Sequence, residues 1–98
     1  MRIEFANDAL ARICTDAAHK MGLPITVIKA ARRKLIQLEA AVDERDLRNL
    51  KGLHYKKLQG SRDGQRSIRI NDQYRIVFTL AENERPPVIT VIEIDDTH

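Results

Sequence analysis

Hydrophobic positions along the chain change their period once, near residue 48. Before that point, Arg2-Ile3-Glu4-Phe5 alternates and predicts a short strand with Ile3 and Phe5 facing inward. Asn7 is a good helix N-cap, and Leu10, Ile13, Cys14, Ala17 and Met21 follow at helical spacing. Gly22 then supplies the left-handed residue that commonly ends a helix. Pro24 sits where a second helix starts without losing a hydrogen bond. From there Ile28, Ala31, Leu35, Leu38 and Val42 form one apolar stripe about five turns long. Two helices joined by Gly22-Leu23-Pro24 predict an antiparallel hairpin with a buried apolar seam. Cys14 falls on that seam and reads as a core residue.

After residue 48 the period is 2. His54–Gln59 reads as a strand, and Arg62-Asp63-Gly64 as a turn in which Gly64 supplies a positive φ. Ser67-Ile68-Arg69-Ile70 puts Ile68 and Ile70 on one face and Arg69 on the other. Asn71-Asp72-Gln73 turns the chain again. Tyr74, Ile76, Phe78 and Leu80 then share a face, with Arg75, Val77 and Thr79 opposite. Ala81–Pro87 reads as a loop and Val88–Ile94 as a β-branched strand. The order predicts one α+β domain over residues 1–98, with helices covering one face of an antiparallel sheet of about four to five strands. The other face is left open.

Charge sharpens that picture. The 98 residues carry a formal net charge of +3. Seven Lys and Arg stand against two Asp in residues 51–75, and one Arg against five Asp and Glu in residues 76–98. A basic block followed by an acidic end suits a surface that meets a polyanion. The single cysteine excludes an internal disulfide framework and a Cys-based zinc site. No apolar run reaches the length of a membrane span, and no signal pattern opens the chain, so a cytoplasmic, bacterial protein with no membrane partner is expected. There is no phosphate-cradling glycine loop, no Gly-x-Ser-x-Gly and no pair of histidines at metal spacing. No metal or cofactor is expected.

What remains is a set of cations and one type of proton carrier. Arg69 and Arg75 fall on adjacent strands and on the open face, with one of Lys56 and Lys57 beside them. Asp96 and His98 stand two residues apart after the last strand, so both can point the same way. Guanidinium and ammonium groups suit a phosphodiester and its pentacoordinate transition state. Histidine is the natural proton donor or acceptor there. Metal-free RNA cleavage needs only a base for the 2′-OH, cations for the phosphorane and an acid for the leaving 5′-oxygen.

Residues 58–78, from Leu58-Gln59-Gly60 through Ser67-Ile68-Arg69-Ile70-Asn71 to Tyr74-Arg75-Ile76-Val77-Phe78, resemble the sheet core of the HigB toxins, the system-killer branch of the RelE/ParE superfamily of toxin–antitoxin proteins. Glu93-Ile94-Asp95-Asp96-Thr97-His98 is similar to that family's ending, glu-ile-val-asp-tyr-his. The likeness extends over the whole chain. It implies a RelE-like microbial RNase fold, and a toxin that cleaves mRNA in the decoding site of the 70S ribosome without a cofactor. It also implies a small HigA-like helix-turn-helix antitoxin as partner, with operator DNA bound only through the toxin–antitoxin complex. By position it assigns Asp96 and His98 to the terminal catalytic pair and Arg75 to the strand arginine that holds the scissile phosphate. Lys56 stands where the family usually has a histidine, and His54 lies two residues earlier, so both join the catalytic candidates. Arg69 matches a basic sheet position and, with Lys57, Arg62 and Arg66, makes up the RNA-binding candidates.

Other departures from the family pattern are Gln59 for a common lysine, Arg66 for a common tryptophan, and Thr97 for a penultimate tyrosine that would stack on a base. Two other functions stay open on sequence. One is a ParE-like inhibitor that binds DNA gyrase and cuts nothing. The other is a catalytically weakened toxin that only binds its antitoxin.

Overall fold

A computed structural model describes residues 1–96 and builds a helical layer against a five-stranded sheet. Strand β1 (Arg2–Phe5) opens the chain. Asn7 caps α1 (Asp8–Ala11), its side chain accepting from Leu10 N at 2.9 Å. The helix expected through Met21 breaks instead into two 3₁₀ segments, Arg12–Cys14 and Asp16–Met21, at an extended Thr15. The Thr15 hydroxyl donates to Arg12 O at 2.9 Å and accepts from Ala17 N at 3.1 Å, competing with helical bonds. Arg32 completes the break, with Nε on Ile13 O at 2.6 Å and Nη2 on Thr15 O at 2.9 Å. Carbonyls that a continuous helix would have satisfied are thus satisfied by a side chain. The same break leaves Cys14 exposed rather than in the core.

Gly22 ends this region at φ 73, as its place in the sequence predicts. Helix α2 (Ile25–Ala40) buries Val27, Ile28, Ala31, Leu35 and Leu38. It stops two residues short of Val42, which is 74% exposed. A further short helix, α3 (Glu44–Asn49), is capped by Asp43, whose carboxylate accepts from Arg45 N at 2.9 Å. Asp46 reaches back to Val42 N at 2.8 Å. Acidic residues in a first turn also complement the helix dipole.

The sheet runs β1-β5-β4-β3-β2, with β2 Lys56–Lys57, β3 Gln65–Arg69, β4 Tyr74–Ala81 and β5 Val88–Asp96. It is mixed rather than wholly antiparallel, because β1 pairs parallel with β5. Only two residues of the strand expected over 54–59 pair. Asn71 builds the β3–β4 turn, its Oδ1 accepting from Gln73 N and Tyr74 N at 2.8 Å each. That turn sets Arg69 directly opposite Arg75. A bulge interrupts β4–β5: Val77 pairs with Glu93 but Phe78 with Val91, so Ile92 has no partner across. Residues of α2 and of the inner sheet face, among them Ile68, Ile76, Phe78, Ile89 and Val91, share one core.

Leu38 is fully buried and Val42 is not. Leu38→Ala is therefore expected to lower unfolding free energy by about 3 kcal/mol, and Val42→Ala to change it by no more than about 0.5 kcal/mol. Urea unfolding followed by circular dichroism checks both.

Candidate nucleic-acid interface

The sheet face away from the helices holds a cleft of about 350 Å³. Strand order explains its walls. Lys56 of β2, with Leu58 and Arg62 of the loop that follows, forms one side. Glu93, Asp95 and Asp96 of β5 form the other. Ser67 of β3 and Arg75 and Val77 of β4 lie between. Arg62 Nη2 spans the opening to Glu93 at 2.9 Å.

Arg75 is the best-held cation in this cleft. Its Nε donates to Ser67 Oγ at 3.1 Å, and its Nη2 donates to His54 O at 3.0 Å. Ser67 is 1% exposed, so its hydroxyl is a fixed acceptor rather than a mobile one. Burial lowers the Arg75 pKa from the ordinary arginine value, with a smaller contribution from the charge on Arg69. Arginine remains protonated under any such shift at neutral pH. Arg69 ion-pairs with Asp72, and its Nη1 lies 3.4 Å from His54 Nε2. A guanidinium only donates, so a hydrogen bond at this contact would have to be accepted by the Nε2 lone pair.

Three sequence candidates therefore meet: Arg75, which lines the cleft, and His54 and Arg69, which adjoin it without lining the cleft. Lys56 and Arg62 border it. His54 arrives by a different route from the one expected. It is not in a strand but in a left-handed turn at φ 48 and ψ 49, following a 3₁₀ segment, Lys51–Leu53. Asp96 lies at the cleft's rim, pairs with Tyr74 in the sheet, and accepts from Gln73 Nε2 at 2.8 Å. His98 lies outside the described residues. The bulge brings Glu93 and Asp95 onto the open face, Asp95 directly across from Arg75. Simple alternation from the buried Ile89 and Val91 would have turned both inward, which is why sequence reasoning passed them over.

Lys57 and Arg66 do not join the cleft. Lys57 pairs across with Arg66 in the sheet, and both reach Glu44 of α3 at 3.5 Å. Arg48 Nη2 meets the same carboxylate at 2.8 Å, and the Tyr55 hydroxyl donates to it at 2.6 Å. The Tyr55 hydrogen bond first, then Lys57, Arg48 and Arg66, hold the Glu44 carboxyl below the usual carboxylate range. Burial and that same hydrogen bond push the Tyr55 phenol up, so it stays protonated and donating. These two cations are paired with a carboxylate of the protein's own, and alternation alone could not tell them from unpaired surface cations. The Asp43 cap, followed by Glu44 and Asp46, was the available sign of the helix that supplies their partner.

A larger cavity, about 630 Å³, lies elsewhere, beside the end of α2. Glu39, Asp43, Glu44 and Glu82 line it against Arg85, the wrong sign for a polyanion. Among the described residues no group of His, Cys, Asp and Glu is arranged to hold a metal ion, and no helix is long and apolar enough to cross a membrane.

Comparison with known proteins identifies the family and the fold. A family model described as the RelE-like toxin of the type II toxin–antitoxin system HigB matches residues 3–90. Toxin HigB-1 of Vibrio cholerae serotype O1 is 37% identical over 78 residues, 80% of this chain and 82% of that protein. YafQ from E. coli is similar in structure, with a TM-score of 0.61 at 15% identity over 99% of this chain and 94% of its own. The toxin of the E. coli DinJ–YafQ toxin–antitoxin complex aligns with a TM-score of 0.54 at 15% identity, covering 96% of this chain and 89% of that one. At such identities the structural likeness speaks for the fold alone, and it is the α+β fold of RelE-like toxins. The family model covers most of the strands and all of the helices described above, and the chain belongs to the HigB-like family of RelE-type toxins of type II toxin–antitoxin systems.

Proposed function

We propose that this toxin is a metal-independent endoribonuclease that cleaves mRNA in the decoding site of the 70S ribosome. The observation that carries the reading is the cross-strand pair Arg69–Arg75. Like charges directly opposite one another weaken a sheet. Here one of the two is fixed by a buried hydroxyl and a backbone carbonyl, and both touch the same histidine residue. An anion between them removes the repulsion, and a phosphodiester is the anion that a RelE-type toxin meets.

The roles follow from the chemistry. Arg75, with Arg69 and Lys56, binds the scissile phosphate and stabilises charge as the phosphorane forms. His54 and His98 are the proton carriers. One takes the proton of the 2′-OH, whose oxygen attacks phosphorus, and the other protonates the 5′-oxygen as the P–O5′ bond breaks. The products are a 2′,3′-cyclic phosphate and a 5′-hydroxyl. Asp96 orients the terminal imidazole, and Arg62, once released from Glu93, contacts the flanking strand. Residues 1–98 act as one toxin domain in the cytoplasm, where messages are translated. A HigA-like helix-turn-helix antitoxin neutralises it, and operator DNA is bound only through that complex.

Arg75→Ala and His98→Ala are each expected to reduce growth arrest and RNA cleavage by at least about tenfold, the lower end of what a positioned charge or proton carrier contributes. Full activity of both folded variants would remove the site from this cleft. Mapping RNA 5′ ends after induction tests the function itself. Cuts at defined positions within translated codons are expected. Intact messages accompanied by DNA damage would establish gyrase inhibition in their place, and intact messages without growth arrest would leave a toxin that only binds its antitoxin.

A further inference from the structure

His54 is the non-glycine residue with positive φ among the described residues. A residue with a Cβ disfavours that conformation, so the surroundings must impose it. On its N-terminal side, Leu53 is buried and His54 N donates to Lys51 O at 3.2 Å. On its C-terminal side stands Tyr55. The Tyr55 ring stacks on the fully buried Phe78 with centroids 6.3 Å apart, and its hydroxyl donates to Glu44 at 2.6 Å. Glu44 is itself fixed by Arg48, Lys57 and Arg66. The carbonyl this turn presents is the one that Arg75 Nη2 binds at 3.0 Å.

We infer that Glu44 and Tyr55 are positioning residues for the cleft: by gripping the tyrosine hydroxyl, the carboxylate on α3 holds the left-handed turn at His54 and so fixes the Arg75 guanidinium for phosphate. Neither residue lines the cleft. They act through one covalent neighbour and one hydrogen bond. The inference rests on the reading of function given above, since a guanidinium needs fixing only if its ligand's geometry matters. Preorganisation of this kind affects the reacting state more than ground-state binding, because misplacing a charge weakens it most where charge develops.

Tyr55→Phe tests this most cleanly, because it keeps the ring on Phe78 and removes only the hydroxyl. Its maximal cleavage rate on programmed ribosomes should fall by about tenfold, with the ribosome concentration at half-maximal rate changing by less than about twofold. Glu44→Gln should behave alike, and Glu44→Asp should recover part of the rate. A second readout needs no activity: the Arg75 Nε–H signal in ¹⁵N-resolved NMR spectra should exchange slowly in the wild type and faster in Tyr55→Phe, while the Arg32 Nε–H signal stays unchanged. A folded Tyr55→Phe variant with wild-type maximal rate and unchanged Arg75 exchange would overturn the inference. Should Tyr55→Phe fail to fold, the Glu44→Gln and Glu44→Asp pair decides by the same two readouts. A wild-type toxin that cuts no RNA would sink the functional reading alone, and the Arg75 exchange would still report on the clamp.

Discussion

Two guanidinium groups face each other across neighbouring strands, and most of what this fold does near its open face can be traced to holding them there. The pairing of Arg69 with Arg75 works against the sheet by roughly 0.2–1 kcal/mol. Asp72 offsets part of that at Arg69. The Arg75 donors meet a buried serine hydroxyl and a main-chain carbonyl, neutral acceptors that orient the group, while Asp95 stands across from it on β5. A guanidinium aimed by neutral acceptors is preorganised for an anion.

The rest of the molecule supplies the aim. Asn71 tightens the β3–β4 turn and so sets the register that places the two arginines opposite each other. The core shared by α2 and the inner sheet face keeps β4 from shifting. The bulge at Ile92 turns Glu93 and Asp95 outward, giving the cleft an acidic wall facing a basic one. The Arg62–Glu93 ion pair across the opening is about 44% and 38% exposed, so solvent screens it and it yields readily to a phosphate backbone. The Glu44 cluster behind the sheet is of another kind, since Glu44 and Arg66 are mostly buried and tie α3 to β3.

Much of this was legible in the sequence. Strand β1, the Asn7 cap, the Gly22 stop, the α2 stripe through Leu38 and the strands around Arg69 and Arg75 follow from period and capping, because those signals are local. What was not legible depends on contacts between distant segments. At Thr15, where the helix breaks, Arg32 from a distant segment takes two of the freed carbonyls. Lys56 and Lys57 are chemically alike, and only the partner across β3 and the presence of Glu44 decide which one faces the cleft. One unpaired residue in β5 reverses the faces of everything after it, which no reading of strict alternation detects. His54 meets Arg69 and Arg75 from a left-handed turn rather than from the strand that period 2 predicts.

The account stands or falls on where the phosphate sits. A structure of the toxin on a ribosome carrying mRNA with a 2′-O-methyl group at the cut position, which blocks attack, measures this directly. The account predicts a non-bridging phosphate oxygen within about 3 Å of both Arg75 and Arg69, with the His54 imidazole on the same side. Message threaded over another face, with Arg75 still bound to Ser67 and His54 and no phosphate near it, would contradict it.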